Sequence, residues 1–257
     1  MSSRWIDPRY YKLYCCAILS LLGIIVYGNH LQNTFQFDSV AYIKNNPILK
    51  NPKSLLNLEF WAPHFFSRGL LSISMAFNVH LNGFRPFGFH VLNLTLHIFN
   101  SILIFFIFYK TFSHLQNKEK GKYSDLAIAF FSSTIFLVHP IQTESVIYII
   151  SRAEILASTF YLLGVFLFQL LLDTNSRNKI SKLILLWFSI IFLVVVGFSV
   201  KQPLATFPLV IFLYYISVCP LESPVIEFIL KWKLVIIAAI ILFSNLYCIN
   251  YFLTKPF

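Results

Sequence analysis

Asp38 stands in Phe35-Gln36-Phe37-Asp38-Ser39, where an apolar flank can raise a carboxylate's affinity for a proton. A carboxylate there can act as a general base on a hydroxyl. The plainer reading is a turn or N-cap aspartate, since Ser39-Val40-Ala41-Tyr42-Ile43 can open a helix. A second constellation is His139-Pro140-Ile141-Gln142-Thr143-Glu144-Ser145, with Pro140 suited to the first turn of a helix. Glu144, Tyr148 and Arg152 recur every four residues and so share one face of that helix, and Glu154 follows closely. An arginine and two glutamates among apolar runs are costly unless paired or facing a polar cavity. They read either as a site or as an internal Glu–Arg pair fixing two helices. Lys201, in Lys201-Gln202-Pro203, either snorkels to an interface or joins Arg152 or Arg68 in holding an anionic phosphate. His90, Asn93, His97 and Asn100 form a polar stripe at helical spacing, which favours helix–helix hydrogen bonding over a metal site. No carboxylate stands at matching spacing, so no cofactor is expected, with a divalent cation left open. The sequon Asn93-Leu94-Thr95 lies inside an apolar run and is discounted.

The elements that must position these residues are membrane spans. The chain is 58% hydrophobic, 18% aromatic and 12% charged, with a mean hydropathy of +0.73. Soluble domains carry about 25% charged residues. Runs approaching the ~20 residues a helix needs to cross the hydrocarbon core are Leu13–Tyr27, His90–Phe112, Leu126–Val138, Ile155–Leu172, Leu183–Val200, Pro203–Val218 and Leu234–Leu253. The expected fold is all-α: a polytopic transmembrane helical bundle of about seven spans, forming a single domain over 1–257. The net charge of +10 does not imply nucleic acid, because the cations lie between apolar runs and set orientation instead. With the N-terminus cytoplasmic, inner segments hold Arg4, Arg9, Lys12, Lys110, Lys118, Lys120, Lys122, Arg177, Lys179, Lys182, Lys231 and Lys233. Of the ten acidic residues, Asp7, Glu119, Asp125, Asp173, Glu222 and Glu227 fall at inner ends and read as solvated; Asp38, Glu59, Glu144 and Glu154 fall outside.

One large extracytoplasmic loop, 28–89, separates the first two spans. Its Ser54–Trp61 stretch reads as a short amphipathic helix lying along the interface. Cys15, Cys16, Cys219 and Cys248 match neither a disulfide framework nor a zinc site. The first apolar run lacks a small-residue cleavage site and reads as a retained signal anchor.

Several segments, in order, resemble the polytopic glycosyltransferases of the GT-C superfamily, above all the transmembrane and tetratricopeptide-repeat O-mannosyltransferase-like proteins and their bacterial relatives. They are Phe37-Asp38 with Asn46-Pro47; Arg68-Gly69-Leu70 through Ser74, Phe77 and Asn78; Gly88-Phe89-His90 with Asn93 and His97; His139 through Val146; Ser151-Arg152-Ala153-Glu154-Ile155-Leu156; and Ser199-Val200-Lys201 with Pro208. The pairing of His-Pro-x-x-Thr-Glu with Arg-Ala-Glu is the most specific. This chain has Asp38-Ser39 where the family usually has two adjacent acids, and Arg68-Gly69 where it tends to have Arg-Pro. Both departures bear on acceptor choice.

The resemblance implies sugar transfer from a polyprenyl-phosphate donor to a protein hydroxyl or glycan on the outer face. Asp38 takes the place of the family's acidic residue in the first outer loop, as base. Glu144, Glu154 and His139 would orient the acceptor, and Arg152, Lys201 and Arg68 would hold the donor phosphate. The expected partners are a polyprenyl-linked sugar, membrane lipid, and a protein supplying the C-terminal part that relatives carry; a bacterial inner membrane is favoured over the endoplasmic reticulum. The competing expectations are a non-catalytic membrane scaffold and a small transporter routed through Glu144, Arg152 and Glu154.

Overall fold

The computed structural model describes residues 8–46, 49, 68–115, 122–173 and 180–218, and every regular element there is helical. Helix α1 spans Pro8–Tyr27 and ends in a 3-10 turn, Gly28–His30. Among its described residues, the segment that follows carries a wide turn, Val40–Lys44, and then α2, Leu70–Asn82. Helix α3 runs Pro86–Leu115, α4 Lys122–Val138, the short α5 Gln142–Ile147, α6 Arg152–Leu172, α7 Ile180–Phe198 and α8 Phe207–Val218. Three apolar stretches are long enough to cross a bilayer: Tyr10–His30, Pro86–Ser113 and Ile149–Leu172. Shorter apolar helices occupy Ser124–Val138, Ile184–Phe198 and Gln202–Val218. Six of the seven expected spans are therefore helical. The seventh, Leu234–Leu253, and the amphipathic stretch at 54–61 lie outside the described residues. The chain divides into two compact units, Met1–Ile211 and Phe212–Phe257; of the second, the end of α8 is described.

Helix ends fall where the sequence supplies breakers. Gly83 closes α2 at φ +62, a conformation L side chains rarely adopt, and its N–H donates to Val79 O at 2.8 Å. Pro86 then opens α3, its missing N–H costing nothing in a first turn. Pro140 lies in the turn between α4 and α5, where Gln142 N–H donates to His139 O and Thr143 N–H to Pro140 O. The expected Pro203–Val218 span is two pieces, a 3-10 segment Gln202–Thr206 and α8, because Pro203 and Pro208 each suit a helix start rather than an interior.

Helix α3 is the hub. It packs against α4 and α6, while α1 leans on α3 and α4, and α7 on α6. Its polar stripe is wholly buried, and each member reaches a backbone carbonyl near an interruption or a neighbouring helix. His97 Nε2 donates to Leu137 O at 3.0 Å, and Tyr27 Oη donates to the same carbonyl at 3.1 Å, occupying an orphan acceptor at the end of α4. Asn93 Nδ2 spans Val146 O and Ile149 O on either side of the α5–α6 break, both at 3.4 Å. Asn100 Nδ2 donates to Ile155 O and His90 Nε2 to Asn33 O, each at 3.0 Å. In an apolar solvent, freed backbone groups must find partners inside the protein, and the stripe supplies them as the spacing predicted. Large apolar side chains on α1 and α7, among them Leu13, Ile25, Ile184, Phe188 and Phe192, face outward instead.

One expectation about charge is corrected. Asp125 does not stand solvated at an inner end; it is 4% exposed in the first turn of α4, where a carboxylate suits the helix dipole.

Candidate active site

A dense apolar cluster lies at one end of the helices. Phe35 and Ile43 from the segment between α1 and α2 meet Leu71, Met75 and Ala76 of α2, Phe89 of α3, Ala153 and Ala157 of α6, and Val200 and Leu204 beyond α7. This core fixes five chain segments against one another, and a cavity of about 590 Å³ opens above it. Its walls include Asp38, Tyr42, Asn45, Asn46, Arg68, Ser151, Glu154 and Lys201.

Asp38 follows Phe37, whose φ of +46 is left-handed. For a bulky residue such backbone costs about 1–3 kcal/mol and persists only where the surroundings impose it. The turn is tied by Ser39 N–H to Gln36 O and Val40 N–H to Phe37 O, both at 3.0 Å. From the far side, Asp38 N–H donates to Tyr148 Oη at 3.2 Å. Ser39, beside it, is fully buried. Tyr42 lines the cavity and shares a 2.8 Å hydrogen bond with Ser72 of α2. Arg68, at φ +64, enters from the start of α2.

Lys201 reaches the cavity because the chain folds back after α7. Gly197 O accepts N–H bonds from Val200 at 2.9 Å and Lys201 at 3.2 Å. A Cβ at Gly197 would stand 2.2 Å from the tip of Leu204 and 2.9 Å from the Cβ of Phe160, so α6 and the returning chain both press on this glycine. Lys201 Nζ pairs with Glu154 Oε1. Burial pushes the Lys201 ammonium below the usual lysine range, and the charge of Arg68 pushes the same way. Two cations thus face one cavity, and an anion there would relieve their repulsion.

Arg152 is elsewhere. It is fully buried, under the cavity rather than in it. Its Nε donates to Asn93 Oδ1 at 2.7 Å, Nη2 to Asn78 Oδ1 at 2.8 Å and Phe89 O at 3.1 Å, and Nη1 to Ser74 O at 3.1 Å. The guanidinium also lies 5.4 Å from the centroid of the Phe89 ring. Neither expected glutamate is among these partners. The single helix expected to carry Glu144, Tyr148 and Arg152 is broken, because Tyr148 adopts extended backbone at ψ 109 between α5 and a 3-10 turn, Ile149–Ser151. Glu144 is exposed and outside the cavity. His139 is exposed too, its Nδ1 accepting the Ile141 N–H at 3.2 Å.

Of the seven site residues read from the sequence, the structure brings Asp38, Arg68, Glu154 and Lys201 together and leaves Arg152, Glu144 and His139 apart. Tyr42, Asn45 and Ser151 were not read as site residues. The Asn45-Asn46 step reads as a turn in sequence, though Asn46 belongs to the segments that carry the family likeness. Among the described residues, no cluster of three or more His, Cys, Asp or Glu side chains could hold a metal ion.

These features define an all-helical membrane protein with a charged pocket at one end of its helices. Its relatives are the protein O-mannosyl-transferases. TMTC1 of Mus musculus is 30% identical over 175 residues, covering 63% of this chain and 17% of the relative. TMTC4 of Homo sapiens is 31% identical over 177 residues, 64% of this chain and 23% of the relative. F38B6.6 of Caenorhabditis elegans is 30% identical over 210 residues, 78% of this chain and 28% of the relative. The matched region thus spans less than a third of each of these relatives. No family model matches the chain. No solved structure matches it.

Proposed function

We propose that this chain is the membrane part of a glycosyltransferase that moves mannose from a polyprenyl-phosphate donor to a protein hydroxyl on the extracytoplasmic face. The observation that carries the reading is the gathering of Asp38, Arg68, Glu154 and Lys201, from four separate stretches of sequence, around one cavity. The names of the relatives support mannose as the sugar.

In this reading the acceptor oxygen attacks the anomeric carbon as the sugar–phosphate C–O bond breaks. The polyprenyl phosphate leaves with the bonding electrons, and Asp38 takes the acceptor's proton. Negative charge grows on the departing phosphate, so Lys201 and Arg68 stabilise the transition state more than the ground state. Glu154 holds Lys201 in place. Arg152 stays behind the site as a brace, while Glu144 and His139 make no contact with the reacting groups.

The test is transfer of labelled mannose from polyprenyl-phosphate mannose to a serine/threonine peptide by the purified protein and its Asp38→Asn variant. The amide keeps the shape but cannot accept the proton, and loss of general-base help lowers rates by ~10²–10⁴-fold. An unchanged rate in a variant that still folds would leave Asp38 as a turn residue and refute the assignment.

A further inference from the structure

Tyr148 is outside the cavity, yet it touches the turn that presents Asp38 in two places. Its Oη accepts the Asp38 N–H at 3.2 Å. Its ring meets the Phe37 ring edge-to-face, centroids 6.4 Å apart and planes at 80°. Phe37 is the left-handed residue of that turn and is 83% exposed, so core packing does not hold its conformation. What holds it is local: the Gln36 and Phe37 carbonyl bonds, and Tyr148. Tyr148 is held in turn by the chain break between α5 and α6. Its own N–H donates to Glu144 O at 3.1 Å, and its carbonyl accepts the Ser151 N–H at 2.9 Å. The break that separates Glu144 from Arg152 is therefore what delivers the phenol to the outer segment, 110 residues away in sequence.

We infer that Tyr148 is a positioning residue for Asp38: its hydroxyl and ring lock the strained Phe37-Asp38 turn so that the carboxylate faces the cavity. This rests on the reading of Asp38 as the base. A left-handed aromatic residue relaxes toward ordinary backbone when released, and relaxation at Phe37 would swing the next side chain. A small misplacement of a catalytic group lowers turnover without altering donor contacts made elsewhere. Lys201 and Arg68, which would hold the donor phosphate, come from other segments and would not move.

Tyr148→Phe keeps the ring and removes the acceptor; Phe37→Ala keeps the acceptor and removes the ring contact. With polyprenyl-phosphate mannose and a serine/threonine peptide, each variant should lose about tenfold in kcat, the scale of one hydrogen bond. KM for the donor should stay within about twofold, and the melting temperature should hold. Hydrogen exchange of the segment 36–40 should quicken in Tyr148→Phe, while that of α3 does not. Unaltered kcat in Tyr148→Phe alongside an inactive Asp38→Asn would overturn the positioning role and leave the reading of Asp38 intact. Full turnover in Asp38→Asn would remove that reading itself. Unchanged exchange at 36–40 in Tyr148→Phe overturns the inference whether or not the preparation transfers sugar.

Discussion

Arg152 Nε donates to Asn93 Oδ1 at 2.7 Å, and this bond joins the first residue of α6 to the middle of the polar stripe on α3. The guanidinium's other partners, Asn78 Oδ1 and the Ser74 and Phe89 carbonyls, are also neutral. One cation thus ties α2, α3 and α6 together directly beneath the segments that carry Arg68 and Glu154. A charge at such depth is tolerated when its donors are bonded, and four of the five N–H donors reach neutral oxygens, with no carboxylate among them.

Replacing Arg152 with Gln should therefore act on stability rather than on donor binding. The variant leaves several buried acceptors without a donor, and each unsatisfied buried polar group costs about 1–3 kcal/mol. Its melting temperature in detergent should be well below that of the wild type. Added polyprenyl phosphate should raise both melting temperatures equally, because a ligand stabilises in proportion to its affinity for the folded state. A lipid-induced shift seen in the wild type alone would return Arg152 to the donor site.

The helices were legible in sequence because hydropathy is a local signal. Counting the apolar runs puts Asp38, Glu154 and Lys201 at the same end of the helices, and they line one cavity. Arg152 could not be placed the same way. Its acceptors Asn93 and Asn78 lie 59 and 74 residues away, and neutral amides give no charge pattern to match. The spacing of Glu144, Tyr148 and Arg152 misled for another reason: four-residue spacing implies a shared face only on an unbroken helix, and Tyr148 breaks this one. The stripe on α3 was read correctly because it lies on one continuous helix.

Glu144 and Glu154, equivalent in the sequence reading, should separate in experiment. Glu154 lines the cavity and pairs with Lys201, whereas Glu144 is exposed outside it. Glu154→Gln should cut transfer by at least about tenfold, since it frees Lys201 and removes a carboxylate from the site. Glu144→Gln should stay within about twofold of wild type, the usual outcome for an exposed charge. Kinetics of the two variants side by side check this; equal losses would place Glu144 at the site as well.

Donor binding should weaken as pH rises, and earlier than for an ordinary lysine. Burial and Arg68 lower the Lys201 pKa, so the ammonium that would meet the phosphate is lost below the usual ~10.4. The donor KM should climb through that lowered value. Folding stability should move the other way. Between the lowered value and ~10.4 the unfolded chain binds more protons at this site than the folded one, so this residue's contribution grows with pH. Lys201→Arg keeps its charge throughout, and should flatten the climb in KM. A climb that persists unchanged in Lys201→Arg would assign the titration to another group.

The last prediction concerns sidedness, and two contacts at opposite ends of the same helices set it up. Glu154 in the first turn of α6 pairs with Lys201, at the cavity that also holds Asp38 and Arg68. Asp173, just past the other end of α6, pairs with Lys110 near the C-terminal end of α3. Since α6 is long enough to span the hydrocarbon core, we expect the two pairs on opposite faces of the membrane. Lysines and arginines concentrate in the segments on the Lys110 side, which the positive-inside rule assigns to the cytoplasm. Single cysteines at positions 38, 139 and 201, in a background lacking Cys15, Cys16, Cys219 and Cys248, should react with an impermeant reagent added outside sealed cells or vesicles of native orientation. Cysteines at 120 and 179 should react only after the membrane is opened. Labelling at 120 with protection at 38 would invert the topology and move the proposed chemistry to the other face.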